Sequence, residues 1–195
     1  MQFSCVIVAL ALAGCSGNVI DTGGADGGGG SDGGGGPDAR AVDAAPVVGE
    51  DPSVMGIVAA HNAVRASVMP VPSTPLPALT WSASAFSTAR AWAANCQFAH
   101  NAARGNLGEN IYATGGTSTA QQVVASWASE SANYNYAANS CSGTCGHYTQ
   151  VVWRTTTSIG CAAQLCTTGS PFGSGSWQLW VCDYSPPGNS GGRPY

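Results

Sequence analysis

The chain has 195 residues, with six Arg, no Lys, ten acids, eight Cys and 27 Gly, and charged side chains make up only 8% of it. An ordinary globular protein carries about 25%. So few cations exclude a nucleic-acid binder, which needs clustered Lys and Arg against phosphates. No apolar run in the sequence reaches the ~18–20 residues of a membrane-spanning helix.

The charge is unevenly placed. Asp21, Asp26, Asp32, Asp38, Asp43, Glu50 and Asp51 gather seven of the ten acids beside a single cation, Arg40. Residues 52–195 carry Arg65, Arg90, Arg104, Arg154 and Arg193 against only Glu109, Glu130 and Asp183. The acidic stretch is a tail, and the remainder is slightly basic.

Taken in chain order, residues 1–15 read MQFSCVIVALALAGC. The apolar segment Val6–Ala13 has the length of a signal-peptide core and is too short to span a bilayer. It ends in Leu12-Ala13-Gly14-Cys15, which resembles the bacterial lipoprotein box, where small residues admit the peptidase and the thiol carries a diacylglycerol. The resemblance implies a signal peptide over 1–14 and a membrane anchor on lipidated Cys15. It places the protein outside the cytoplasm on the bacterial envelope, at the outer membrane or cell surface. The first four residues depart from the pattern in having no Lys or Arg. An ordinary secretory signal, giving a secreted protein, is the alternative.

Residues 15–51 are the lipidated Cys and a linker of Gly, Asp, Ala and Ser with two GGGG runs. That composition buries too little to repay its conformational entropy, and about thirty such residues reach roughly 30 Å. The Asp spacing matches no calcium loop. With Cys5 lost in the signal and Cys15 lipidated, Cys96, Cys141, Cys145, Cys161, Cys166 and Cys182 remain. Six exported cysteines predict three disulfides, and no C-x-x-C pair favours a metal cluster; spacing leaves all of about fifteen connectivities open.

Residues 52–195 form the folded domain. Asp51-Pro52 predicts a helix start, with Val54, Ile57, Val58, His61, Val64 and Val68 at helical spacing before Pro70. A second helix is expected from Ser82, burying Phe86, Ala89, Trp92, Ala93 and Cys96. A third is expected from Thr119 to Ser131, where Val123, Trp127 and Glu130 share a face. HYTQVVWR, 147–154, reads as a strand with His147, Thr149, Val151 and Trp153 on one side, and further strands are expected at 158–165 and 177–184. Helices followed by strands predict an α+β sandwich around an antiparallel sheet. Glu130 and His147 fall among apolar neighbours, and His100 and Glu109 bracket a polar loop. A buried carboxylate there must be paired, hydrogen-bonded, metal-bound or protonated.

Seven motifs occur in order: HNAVR at 61–65, CQFAH at 96–100, GENIY at 108–112, WASE at 127–130, CGHYTQVVWR at 145–154, IGCA at 159–162 and CDYSPPGN at 182–189. Together they resemble the CAP superfamily of cysteine-rich secretory proteins, antigen 5 and plant pathogenesis-related class 1 proteins. The resemblance implies a disulfide-stapled α-β-α sandwich whose cleft holds a tetrad of His100, Glu109, Glu130 and His147. It implies that His100 and His147 can hold a divalent metal such as zinc, and that His61 is chiefly structural, serving packing or hydrogen bonding. It also implies the pairs Cys96–Cys166, Cys141–Cys145 and Cys161–Cys182. Against the plant proteins, the 141–145 loop is shorter and the Thr167–Ser176 turn longer. The end PPGNSGGRPY resembles the plant segment that can release a signalling peptide; here it is read as a structural tail.

A non-enzymatic module that binds a lipid, sterol or envelope partner is the leading expectation, again from the resemblance. A metal- or His/Glu-dependent hydrolase comes second, because the sequence shows no HExxH helix, no nucleophile elbow and no spare thiol. A purely structural envelope protein comes third. No catalytic residue is assigned.

Overall fold

The computed structural model describes residues 49–195, so the signal peptide, Cys15 and the linker up to residue 48 lie outside the described residues. Asp51 accepts from the backbone N–H and hydroxyl of Ser53, and Pro52 opens a 3-10 turn, Pro52–Val54. The helix expected from Asp51 onward is interrupted at Gly56, whose φ of 85° lies in the left-handed region that glycine enters without penalty. Helix α1 then runs Ile57–Ala66. The Glu50 carboxylate accepts from Gly56 N (2.7 Å) and Val58 N (2.8 Å), so it satisfies donors that a helix start leaves open.

Strand β1 (Thr80–Trp81) leads into α2 (Ala83–Ala93), capped by the Ser82 hydroxyl on Ala85 N. Strand β2 (Gly108–Thr114) follows, then α3 (Ala120–Ser129), which opens with a capping box between Thr119 and Gln122. Glu130 begins a 3-10 turn, Glu130–Asn133, so α3 ends two residues before its expected limit. A small hairpin of β3 (Tyr134–Asn135) and β4 (Ser140–Cys141) precedes α4 (Gly146–Val151), and β5 (Ser158–Cys166) and β6 (Trp177–Ser185) complete the domain.

The segment read as a strand at 147–154 is therefore helical over residues 147–151 and leaves the helix after them. Tyr148, Val151 and Val152 all enter the core at i, i+3 and i+4, a spacing the eight-residue motif satisfies as well as alternation. Thr149 keeps its hydroxyl satisfied inside the helix by donating to Cys145 O. The deciding contact is remote in sequence: Glu130 accepts from the N–H groups of His147 and Tyr148. That carboxylate fills the place of a local N-cap.

The main sheet has the order β1-β5-β6-β2, antiparallel except for the two-residue parallel edge of β1 on β5. Helix α2 covers one face, over Ile111, Ala162, Trp177, Leu179 and Val181. Helices α1, α3 and α4 cover the other, over Ile159, Cys161, Trp180, Cys182 and Tyr184. The expected α-β-α sandwich is present. Among the described residues no helix is long and apolar enough to cross a membrane.

All three disulfides implied by the resemblance are formed. Cys96–Cys166 closes 70 residues and ties the end of α2 to β5, and Cys161–Cys182 closes 21 and links β5 to β6. Loop entropy makes them worth about 4 and about 3 kcal/mol in a chain-entropy account.

Helix α2 reaches the sheet closely because its inward face is Ala85, Ala89 and Ala93 and the strand beneath it offers Gly160. A Cβ at Gly160 would stand 1.9 Å from the backbone N of Phe86. Gly160→Ala is expected to cost about 3 kcal/mol in urea unfolding, through overpacking against rigid backbone. Gly116→Ala, with nothing within 4 Å of its Cβ, should change stability by less than about 1 kcal/mol. Equal midpoints for the two variants would contradict this packing.

Candidate functional site

Strand β2 is the sheet edge and pairs with β6 so that Glu109 lies opposite Asp183 and Asn110 opposite Cys182. Successive strand residues point to opposite faces, so Glu109 and Asn110 serve two different surroundings. Glu109 Oε1 accepts from His100 Nδ1 (2.7 Å) and from Asn101 N (2.9 Å). The Glu109 side chain is 0% exposed and the His100 side chain 55%, so a buried carboxylate holds an accessible ring in one orientation.

The second pair sits where α3 ends and α4 begins. Glu130 Oε1 meets His147 Nδ1 at 2.6 Å, while its Oε2 accepts from His147 N (3.0 Å) and Tyr148 N (3.2 Å). Trp127 stacks on the His147 ring, with centroids 6.1 Å apart at 20°. A carboxylate only accepts hydrogen bonds, so each Nδ1 carries the proton. In the neutral imidazoles Nε2 then bears the lone pair, and neither Nε2 is hydrogen-bonded among the described residues.

Beneath the pairs lies a polar network that the sequence reading did not assign. His61 Nδ1 donates to Ile57 O (2.8 Å), which makes His61 Nε2 the acceptor for the Tyr184 hydroxyl (2.8 Å). Tyr184 accepts in turn from Asn110 Nδ2 (3.0 Å), which also donates to His147 O (3.1 Å). Every proton in this chain has one consistent direction, with all groups neutral. Burial drives the His61 pKa down to about 4. Asn62 clasps the backbone of Leu79 by both its amide atoms. Arg65 donates to Pro77 O, Val151 O, Trp153 O and Thr156 O. Its own burial, with Arg154 nearby, lowers the guanidinium pKa to about 10. HNAVR is thus a structural clasp, as expected for His61. The end of the chain binds α4 in the same manner: Gly188 N donates to Gln150 Oε1, Asn189 Nδ2 donates to Gly146 O, and Asn189 Oδ1 accepts from the Thr149 hydroxyl.

The four expected tetrad residues form two imidazole–carboxylate pairs. Among the described residues no three His, Cys, Asp or Glu side chains gather as a group able to hold a metal. Asn110, Tyr184 and Asp183 are the site residues that sequence reasoning missed. Asp183 was open to detection: in WQLWVCDY it falls in step with Trp177, Leu179 and Val181, on a face that is otherwise apolar.

Residues 58–184 match the model of the cysteine-rich secretory protein family, CAP, and the chain belongs to that family. Mouse GLIPR1-like protein 1 is 37% identical over 161 residues, 77% of this chain and 66% of that protein. Bovine peptidase inhibitor 16 is 39% identical, over 71% of this chain and 31% of its own length. The chain therefore spans less than two thirds of these two relatives. Arabidopsis thaliana pathogenesis-related protein 1 is 37% identical, over 77% of this chain and 86% of the plant protein. Among solved structures, venom allergen-like protein 4 of Schistosoma mansoni superposes with a TM-score of 0.60 at 29% identity, over 74% of this chain and 94% of that one. NaASP2, solved with Zn2+, gives 0.57 at 25% identity, over 71% and 82%. The three disulfides fit an oxidising, extracytoplasmic compartment.

The His61 network carries a pH dependence of fixed sign. Between an unfolded pKa of about 6.5 and the folded value of about 4, the unfolded chain binds a proton that the folded one refuses. Stability conferred by neutral His61 is complete above pH 6.5 and falls as the pH drops toward 4, by about 3 kcal/mol. His61→Gln is expected to be less stable at pH 7 and to lose this acid slope, read by denaturant unfolding at a series of pH values. A slope equal to that of wild type would contradict the assignment.

Proposed function

We propose that the protein is a non-enzymatic binding module, anchored outside the cytoplasm to the bacterial envelope through lipidated Cys15, which takes a lipid or sterol and carries a divalent-cation site at His100 and His147. The observation that carries the ligand reading is an apolar cavity of about 400 Å³ between the end of α1 and the proline-rich segment after it. Ala66, Val68, Val71, Pro72, Leu76 and Ala78 line it, with Arg65 in its wall. Small-molecule sites run from about 300 to 1,000 Å³ and are mostly apolar with few polar groups. Val71, 75% exposed, and neighbouring Met69, 71% exposed, present apolar surface at this end of the molecule. The cavity shares no residue with either His/Glu pair, so ligand and cation would occupy separate places.

The donor chemistry fits a cation such as zinc. Each imidazole has its Nδ1–H fixed by a carboxylate, the arrangement that orients metal-ligating histidines and raises their basicity. Two imidazoles leave coordination positions to water or a partner, and a bound cation would supply Lewis acidity there. The Zn2+ structure of NaASP2 supports this reading. The hydrolase reading ranks second: all six described cysteines are in disulfides, and no hydroxyl among the described residues bonds either ring.

Zinc calorimetry and displacement of a fluorescent fatty acid separate the two halves. In the His100→Ala/His147→Ala double variant, zinc binding should be lost and fatty-acid binding kept. Ala66→Trp, which fills the cavity, should weaken fatty-acid binding at least about tenfold and leave zinc unaffected. Zinc binding that survives the double variant removes the cation site, and fatty-acid binding that survives Ala66→Trp removes the cavity. Peptide turnover dependent on both histidines would favour a hydrolase, and membrane association unchanged in Cys15→Ala would remove the anchor.

A further inference from the structure

Residues 67–79 join α1 to β1 with no charged side chain and with four prolines, Pro70, Pro72, Pro75 and Pro77. Proline has no N–H, so this segment leaves fewer donors unpaired in an apolar phase than most loops would. Its far end is tied down: Arg65 donates to Pro77 O, and Asn62 holds Leu79 by its N–H and its carbonyl. Val68 and Leu79 turn into the core, whereas Met69 and Val71 protrude, 71% and 75% exposed. Single exposed apolar residues are ordinary, but Val71 also lines the cavity of about 400 Å³, with Pro72 beside it. The two most exposed large apolar side chains of the described residues thus stand at the mouth of that cavity.

Cations and tyrosines adjoin this tip. Arg154, partly exposed, donates from Nη1 to Thr74 O (3.1 Å) and Pro75 O (3.4 Å). Tyr195 donates its hydroxyl to Met69 O (2.8 Å) and stacks on Tyr136 with centroids 4.8 Å apart. The exposed Arg193 guanidinium stands 5.7 Å from the centre of that Tyr136 ring. Acids do not offset these charges. The side chains of Glu109 and Glu130 are 0% and 15% exposed and Asp183 is 0% exposed. Glu50 and Asp51 serve the start of α1 and the turn before it, a ten-residue helix away from the loop, or about 15 Å.

We propose that this face docks on an anionic phospholipid bilayer. Met69 and Val71 enter the boundary between headgroups and acyl chains, Tyr136 and Tyr195 lie at headgroup level, and Arg154 and Arg193 meet the phosphates. Two protruding side chains offer little area to a protein partner, whose stable contact takes about 800 Å² on each side. Docking sets the cavity mouth against the acyl chains, so a lipid enters without crossing water. Use of the cavity in this way rests on the lipid-binding reading above; contact with the bilayer does not. A tether at Cys15 would raise the local lipid concentration but select no face.

Full-length chains carrying an environment-sensitive fluorophore at Ser73→Cys or Ser174→Cys test this on vesicles of phosphatidylcholine, phosphatidylglycerol and a nitroxide-bearing lipid. Both positions are exposed. Ser73 lies in the loop that enters β1 beside Ser158 and Ile159, and Ser174 lies beyond Cys166 at the other end of β5. The nine residues of that strand separate the two ends by about 30 Å. The label at Ser73→Cys should shift to the blue and be quenched. That at Ser174→Cys should do neither, although Phe172 beside it is 55% exposed. Met69→Asp/Val71→Asp should weaken the contact at least about tenfold, and Arg154→Gln and Arg193→Gln about fivefold each. Ala66→Trp should leave the quenching intact, so quenching retained without fatty-acid binding removes the cavity and not the docking. On the unlabelled chain, the same vesicles should slow amide hydrogen exchange within residues 67–79. Equal quenching at both labels, the mark of a tether alone, would overturn the proposal. So would quenching unchanged in Met69→Asp/Val71→Asp, or exchange that does not slow in 67–79.

Discussion

The register of β2 on β6 is the constraint on which the site depends. It sets Glu109 opposite Asp183 and Asn110 opposite Cys182, and the pleat then sends the two consecutive side chains to opposite faces. Glu109 fixes the His100 ring, and Asn110 fixes the carbonyl of His147. A slip of one residue would exchange these roles, bringing an amide to His100 and a carboxylate into the neutral network around Tyr184. Strand β6 is in turn fixed against β5 by their own ladder and its cross-strand disulfide, Cys161–Cys182.

Two kinds of buried polarity meet along that ladder. Toward α1 and α4, the sequence Ile57–His61–Tyr184–Asn110–His147 is matched donor to acceptor at every step. Such a network favours one arrangement, because any reversal leaves a buried group unpaired. Toward α2, both Asp183 carboxyl oxygens and Glu109 Oε2 are buried without a donor among the described residues. The first surface supplies rigidity, and the second leaves buried carboxyl oxygens without donors. Both converge on the backbone that carries the imidazoles, so their positions are set by the fold and not by the flexibility of an exposed histidine.

The sequence made the layered architecture, the three disulfides and the two His/Glu pairs legible, and most of that came through family motifs. The geometry of single elements was harder to read. In HYTQVVWR the apolar residues satisfy a helical and a strand period together, and the carboxylate that favours the helix, Glu130, lies seventeen residues away. Strand β2 went unread because GENIYAT opens with polar residues whose burial depends on His100, Asn101 and Tyr184, none of them local. The helix start at Asp51 was read correctly, but the left-handed Gly56 that divides it depends on backbone conformation. Asp183 was visible as a charge in an apolar strand face, and its significance required the partner opposite.

The central claim is that Glu109 and Glu130 fix both imidazoles with the proton on Nδ1, leaving the Nε2 lone pairs open to the proposed cation. Nitrogen-15 NMR of the histidine side chains tests this directly. The account predicts the Nδ1–H tautomer for neutral His100 and His147, with both Nε2 signals, and not those of His61, moving when zinc is added. An Nε2–H tautomer at either ring, or a zinc response confined to other residues, would contradict it.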